Sequence, residues 1–113
     1  MAGQMIIRSM SAVCTSVTSQ DVELDWRPRE QAIRWSQIVA VDRTSAPTTL
    51  EIGLKRAGSF YILNAETPSA AARSVRMHGT VIAPGEFVPA ARFRGATLND
   101  VLELYACGEV LTD

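Results

Sequence analysis

The feature that most constrains the fold is an alternation of apolar and polar residues with a period of two. In residues 22–27, for example, three apolar side chains alternate with three charged ones. This period is typical of a β-strand with one buried and one exposed face. Turn residues such as Pro47 and Gly58 separate the alternating runs. The predicted strands cover residues 4–10, 12–18, 22–27, 33–42, 50–55, 60–65, 75–83, 87–93 and 101–107.

Short strands with regularly spaced turns predict an all-β chain, folded as an antiparallel sandwich or a barrel. Residues 60–65 are more uniformly apolar, which predicts an interior strand. Two segments also fit a helix. Residues 67–73 place Pro68 at the first position of one or two helical turns. Residues 98–107 fit a helix and a strand about equally well, because their apolar side chains satisfy both periods.

The length of 113 residues leaves room for one domain with one core. The domain is predicted to span residues 1–113, with an N-terminal arm or edge strands in residues 1–18. The apolar members of the alternating runs should face the core, because successive side chains of a strand point to opposite faces. The predicted core residues are Val22, Leu24, Trp35, Val39, Val41, Leu50, Ile52, Leu54, Ile62, Phe93, Val101 and Leu104.

The charge of the chain argues against two classes of partner. The formal net charge is −1 at pH 7, whereas a nucleic-acid-binding domain normally carries a basic excess. The sequence has no apolar run long enough to cross a membrane, and its N-terminus does not resemble a secretory signal. We therefore expect no nucleic-acid partner and no membrane association. We also expect the chain to stay in the cytoplasm unless it leaves as part of a larger particle.

Residues suited to catalysis or metal binding are sparse. His78 is the only histidine, and a metal site normally needs several converging ligands. Cys14 and Cys107 lie in apolar segments, which predicts unreactive free thiols. The sequence contains no nucleophile elbow and no glycine-rich phosphate loop. These observations predict no enzyme activity, no catalytic residue, no cofactor and no metal ion.

An acidic cluster and a pair of tryptophans each allow two interpretations. Asp21, Glu23 and Asp25 share one face of a predicted strand and could bind calcium, but they lack the spacing of a calcium-binding loop. A solvated face that pairs with nearby arginines is the favoured interpretation. Trp26 and Trp35 flank one turn and could form a sugar-binding platform, although core anchors are the more usual role of large aromatic residues in small sandwiches.

Three stretches of the second half, residues 58–63, 78–86 and 91–108, resemble small structural proteins of tailed bacteriophages. The last stretch carries the pattern aromatic-x-Gly-Ala-Thr-x-x-Asp-Val-Leu-x-Leu, from Phe93 to Leu104, followed by a turn at Gly108. The resemblance implies a jelly-roll-like two-sheet sandwich in which residues 101–107 form a strand. It brings no enzyme signature and no binding residues.

The role that this resemblance implies is that of a capsid cement or decoration protein, which stabilises the head of a short-tailed phage. The expected partners are the major capsid protein of the shell and further copies of the chain itself, as a dimer or trimer. The expected location is the virion, after synthesis in the bacterial host cytoplasm. The alternatives are a component of the head-to-tail connector or tail tip, and a carbohydrate-binding sandwich.

The expected contact residues come from the N-terminal arm and from the charged strand faces. The arm is more apolar than a solvated tail should be, so we expect it to dock on its own sandwich, a sister subunit or the shell. The charged faces offer both signs to a partner and should mainly set the register of the contact. The predicted partner-binding residues are Met5, Ile6, Ile7, Met10, Glu23, Asp25, Arg27, Arg29 and Arg34.

Overall fold

The computed structural model describes residues 4–25 and 31–111, and these contain nine β-strands and no helix. Short turns join most of the strands, as the sequence predicts. The strands are β1 (Gln4–Val13), β2 (Ser19–Glu23), β3 (Ala32–Asp42), β4 (Thr49–Arg56), β5 (Ser59–Glu66), β6 (Ser74–Arg76), β7 (Val81–Ala83), β8 (Val88–Arg94) and β9 (Val101–Leu111).

The strands form two antiparallel sheets that pack as a sandwich. One sheet has the order β1-β9-β3-β6, and β7 also pairs with β3 beside β6. The other has the order β2-β8-β4-β5. Several consecutive strands lie in different sheets, so the chain crosses repeatedly between the two layers, as in a jelly roll. The predicted all-β, antiparallel, jelly-roll-like sandwich is confirmed.

Several local predictions differ from the structure in detail, among them the strand predicted for residues 22–27, which begins at Ser19 and ends at Glu23. Residues 4–18 form one long strand followed by a loop instead of two strands. Residues 75–83 divide into β6 and β7 around a bend at Gly79. Residues 67–73 form a turn without a helix, in which the N–H of Arg73 donates to the carbonyl of Ser69 at 2.9 Å. The strand interpretation of residues 101–107, which the phage resemblance favours, is confirmed. The predicted turn at Gly108 is wrong, because β9 continues to Leu111 and Gly108 pairs with Ile6 and Trp35.

Most of the predicted core is buried between the sheets, but a bulge in β3 reverses part of it. Trp35 pairs with Gly108 and Gln37 pairs with Cys107, which leaves Ser36 as an extra residue. An extra residue exchanges the two faces of the strand beyond it, because side chains alternate with a period of two. Val39 and Val41 are therefore wrong as core predictions and lie half-buried on the outer side. The buried residues of this part of β3 are Ile38, Ala40 and Asp42.

The prediction of an interior strand for residues 60–65 is also wrong. β5 is the last strand of its sheet, and its predicted core residue Ile62 is 54% exposed. Val101 is likewise partly exposed at the start of β9. The prediction rested on apolar composition, which does not distinguish a strand covered on both sides from an exposed edge strand. The predicted residues that are buried are Val22, Leu24, Trp35, Leu50, Ile52, Leu54, Phe93 and Leu104.

Candidate interaction surface

The predicted N-terminal arm is a strand of the sandwich. Each residue of β1 from Gln4 to Val13 has a partner on β9. Ile6 points inward and is buried, and Met10 packs against the edge of the core. Met5 and Ile7 point the other way and are 62% and 73% exposed. The arm therefore docks on its own sandwich through its backbone and inner side chains, while Met5 and Ile7 remain uncovered.

These two side chains belong to a larger apolar surface on the outer side of the five-stranded sheet. Ile7 lies opposite Cys107 across the β1–β9 pair, and Tyr105 lies opposite Val39 across the β9–β3 pair. A shallow depression of about 180 Å³ lies among these four side chains, and Gln37 and Ala106 also line it. Strands β1, β9 and β3 thus contribute to one continuous surface, which we call the outer apolar face. Its residues are Met5, Ile7, Val39, Val41, Tyr105 and Cys107.

Ion pairs border the outer apolar face at both ends. At one end Arg34 pairs with Glu109 at 3.3 Å. At the other end Arg43 pairs with Glu103, and the Tyr105 hydroxyl also donates to Glu103. Hydrogen bonds from Tyr105 and Arg43 lower the pKa of Glu103. An apolar centre with a polar rim is the usual anatomy of a protein–protein interface.

The outer side of the four-stranded sheet has a different character, because its charges neutralise one another. Asp21 accepts two hydrogen bonds from Arg92, at 2.7 and 3.0 Å, and one from Lys55 at 2.9 Å. The hydrogen bonds with Arg92 are the main reason why the pKa of Asp21 is lowered. Lys55 also pairs with Glu23 at 3.4 Å, and Arg94 pairs with Glu51 at 3.2 Å. This network leaves little unpaired charge among the side chains involved.

Ile6 and Met10 face the core, and the other described partner-binding predictions divide between two faces of the sandwich. Met5, Ile7 and Arg34 lie on the outer side of the five-stranded sheet, where Glu109 is opposite both Met5 and Arg34. Glu23 lies on the outer side of the other sheet, and Asp25 is exposed just beyond β2. The structure does not bring these two acids to Arg34, which pairs with Glu109 instead. The remaining predicted contact residues, Arg27 and Arg29, lie outside the described residues.

A pair of buried carboxyl groups joins two loops at one end of the sandwich. One oxygen of Asp42 accepts the N–H groups of Thr44 and Ser45, at 2.9 and 3.1 Å. One oxygen of Asp100 accepts the Ser45 hydroxyl at 2.6 Å and the N–H of Thr97 at 3.3 Å. The second oxygen of Asp42 has no hydrogen-bond donor among the described residues. Burial, followed by the neighbouring carboxyl group of Asp100, raises the pKa of Asp42 to about 6.

Sequence reasoning missed this pair because the alternation assigned Asp42 to the exposed face of its strand. The β3 bulge turns that position inward, and a bulge has no clear signal in this sequence. Asp100 is one of the fixed positions of the phage-like pattern in residues 93–104, and this was the only signal that it has a structural role. Its role in the structure is to hold the β8–β9 loop against the β3–β4 loop.

The described residues hold no cluster of three or more metal-ligating side chains. His78 is exposed and contacts Glu66 at 3.1 Å. Cys14 is buried and Cys107 lies on the outer apolar face, each as a free thiol. Trp35 is fully buried, so the core interpretation is confirmed for it and a sugar platform there is wrong. Trp26 lies outside the described residues.

A helix long and apolar enough to cross a membrane does not occur in the part of the chain that the structure describes.

The strand orders of the two sheets define the class of this protein as a jelly-roll β-sandwich. Comparison of the sequence with protein-family models and with curated proteins gives no match. Comparison of the structure finds a chain from the acidic stable capsid structure of Helicobacter pylori bacteriophage KHP30. That likeness has a TM-score of 0.69 and 10% sequence identity, and it covers 100% of this chain and 92% of that chain.

A second similar structure is a chain from the capsid asymmetric unit of cyanophage Pam1. The TM-score is 0.56 and the identity 15%, with 98% of this chain and 87% of that chain covered. At such low identities the likeness is one of fold. The resemblance to phage structural proteins that the sequence predicts is confirmed at that level.

Proposed function

We propose that this protein is a non-enzymatic structural protein of a phage virion, which binds the capsid shell as a cement or decoration protein. The observation that carries the proposal is the fold likeness to a chain of the KHP30 capsid structure, which extends over the whole of this chain. The phage-like pattern from Phe93 to Leu104 supports it independently, since it was identified from the sequence alone. The proposed partner is the major capsid protein, and the proposed location is the virion, after synthesis in the host cytoplasm.

The outer apolar face is the surface best suited to contact the shell. Full burial of a side chain such as Ile7 is worth roughly 1.5–3 kcal/mol, whereas an exposed ion pair contributes about 0–1 kcal/mol. Apolar side chains should therefore supply most of the affinity, and the ion pairs at Arg34 and Arg43 should set the orientation. Many copies acting on one shell would add their modest individual affinities to a large total stabilisation.

The same fold could serve in the head-to-tail connector or the tail tip, and copy number separates these roles from cement. A cement protein is present in many copies spread over the shell, whereas a connector component is limited to the copies of one symmetric ring. The first experiment is therefore to purify assembled particles and to measure how many copies of this protein they contain. The absence of the protein from particles would contradict every virion role.

A substitution on the outer apolar face tests where the shell is bound. Ile7→Asp places a charge within the outer apolar face, on its β1 side, without changing the core, and should reduce incorporation into particles at least tenfold. Leu98→Asp is the matched control, because Leu98 is 56% exposed but lies in the β8–β9 loop. It should load at the level of the wild type. Full occupancy by the Ile7→Asp protein would show that the shell contacts another surface.

A further inference from the structure

Strand β5 presents an open and apolar edge at the side of the four-stranded sheet. Within the described residues it pairs with β4 alone. Its middle residues Tyr61, Ile62 and Leu63 are 53%, 54% and 40% exposed. The opposite edge strand, β2, is short and carries Asp21 and Glu23, which are features that protect an edge from pairing. Residues 59–66 contain no lysine and no proline that would do the same for β5. A bulge at Leu63 and a hydrogen bond from the Asn64 side chain to the carbonyl of Arg76 affect only the second half of the strand.

The turn before β5 determines which backbone groups reach this edge. Ala57 and Gly58 form a two-residue turn with φ values of 51° and 83°, the conformation of a tight hairpin turn. In such a hairpin the residues flanking the turn, Arg56 and Ser59, form a hydrogen-bonded pair. The N–H and C=O groups of Phe60 and Ile62 therefore point away from β4 and towards the open edge. These groups can pair with another strand.

The charges at the two ends of β5 favour antiparallel pairing with β5 of a second copy. Glu66 ends the strand, and Arg56 lies beside its beginning, across from Ser59. The Arg56 guanidinium lies 5.4 Å from the centre of the Phe87 ring and makes no ion pair with any described residue. A two-fold axis near Ile62 brings Glu66 of each copy towards Arg56 of the other. Parallel pairing would instead place the two Glu66 side chains together, which is unfavourable.

We propose that two copies of this protein associate through β5, antiparallel about a two-fold axis, so that their four-stranded sheets join into one continuous sheet. The contact is isologous, since the same strand is used on both sides. It is independent of the proposed capsid role and needs no shell. It also leaves the outer apolar face, which belongs to the other sheet, free for a different partner.

Sedimentation equilibrium of the full chain, at protein concentrations from about 1 μM to 1 mM, measures dimer dissociation constants in this range and so tests the proposal. The wild type should form dimers. Ile62→Lys should weaken dimerisation at least tenfold, because it places a charge at the centre of the edge. Ile82→Lys is the matched control, since Ile82 is 55% exposed but lies on β7 of the other sheet. A monomeric wild type, an Ile62→Lys dimer of unchanged affinity, or equal loss in both variants would overturn the proposal.

A charge exchange tests the antiparallel direction and does not depend on how well the Ile62→Lys protein folds. Glu66→Arg and Arg56→Glu should each weaken the dimer, and the double variant should recover most of the wild-type affinity. Glu66 also accepts a hydrogen bond from Asn64 and contacts His78 within its own chain. Those contacts are lost in both the single Glu66→Arg variant and the double variant, so recovery reports the contact between copies. A double variant no tighter than the single variants would rule out this pairing.

Discussion

The buried pair of Asp42 and Asp100 should make the fold less stable as the pH rises from about 4 to 7. The pKa of Asp42 is raised from 3.8 to about 6, by burial and by the neighbouring carboxyl group of Asp100. Between these two values the folded chain holds a proton that the unfolded chain releases. The contribution of Asp42 to the free energy of unfolding is therefore fully present below about pH 4. It is lost as the pH rises towards 6, where a second negative charge must form inside the protein.

Replacement of Asp42 by asparagine removes this charge with little change in shape. The asparagine oxygen can still accept the N–H groups of Thr44 and Ser45, and its amide group can donate to the Asp100 carboxylate. One pKa unit corresponds to about 1.4 kcal/mol, so the rise in the pKa of Asp42 is worth at most about 3 kcal/mol. Asp42 also lowers the pKa of Asp100, which offsets part of this effect. We therefore expect Asp42→Asn to match the wild type near pH 4 and to be more stable at pH 7 by about 1–3 kcal/mol.

Urea denaturation, followed by tryptophan fluorescence at several pH values from 4 to 7, measures this difference. Asp25→Asn is the control, because it makes the same chemical change at an exposed position and should have little effect on the free energy of unfolding. A difference between Asp42→Asn and the wild type that stays constant from pH 4 to pH 7 would refute the reasoning. So would an Asp42→Asn protein that is less stable than the wild type at pH 7.

Three further substitutions test the packing and the surface charges. Ile38→Ala should lower the free energy of unfolding by about 2–5 kcal/mol, whereas Val39→Ala should lower it by only roughly 0.5 kcal/mol. Equal losses of unfolding free energy in urea denaturation would mean that the β3 bulge lies elsewhere. Gly53→Ala should cost about 1–3 kcal/mol or prevent folding, because a Cβ there would collide with the backbone carbonyl of Tyr61, and an unchanged melting temperature would contradict this. Asp21→Asn should be less stable than the wild type at a pH above 3.8, the ordinary pKa of Asp, because the pKa of Asp21 is lowered in the folded chain. The difference in unfolding free energy should shrink as the pH falls below 3.8. A difference that persists in acid would exclude the ion pairs as its cause.

The sequence predicted the class of fold because the period of two persists through most of the strands. In β4, Leu50, Ile52 and Leu54 alternate with polar or small residues, and all three are buried as expected. Residues 98–107 show where the local pattern fails, since their spacing suits a helix as well as a strand. There the pairing of β9 with both β1 and β3 determines the outcome, and such long-range pairing cannot be deduced from local spacing.

The candidate interaction surface was predicted only in part. Met5 and Ile7 were predicted as contact residues from the apolar N-terminal arm, but Tyr105 and Cys107 were not singled out as surface residues. Their strand, β9, lies between β1 and β3, so its outer side chains complete a surface that the topology assembles. The open edge of β5 likewise results from the topology of its sheet. A strand becomes an edge through the strand order of the whole sheet, and its own composition does not reveal this.

The β3 bulge shows why the outer apolar face calls for a functional explanation. Residues 38–41 read Ile-Val-Ala-Val, so every position is apolar although only two of the four side chains reach the core. An antiparallel strand covered on one side normally carries polar residues on its solvent side. Val39 and Val41 occupy that solvent side, and the Ser36 hydroxyl, which lies 3.2 Å from the carbonyl of Cys107, helps to hold the bulge that places them there. Exposed apolar positions that continue across three strands are typical of a surface that another protein covers. The composition of β3 is therefore explained best if both of its faces are buried in the assembled state, one in the core and the other against a partner.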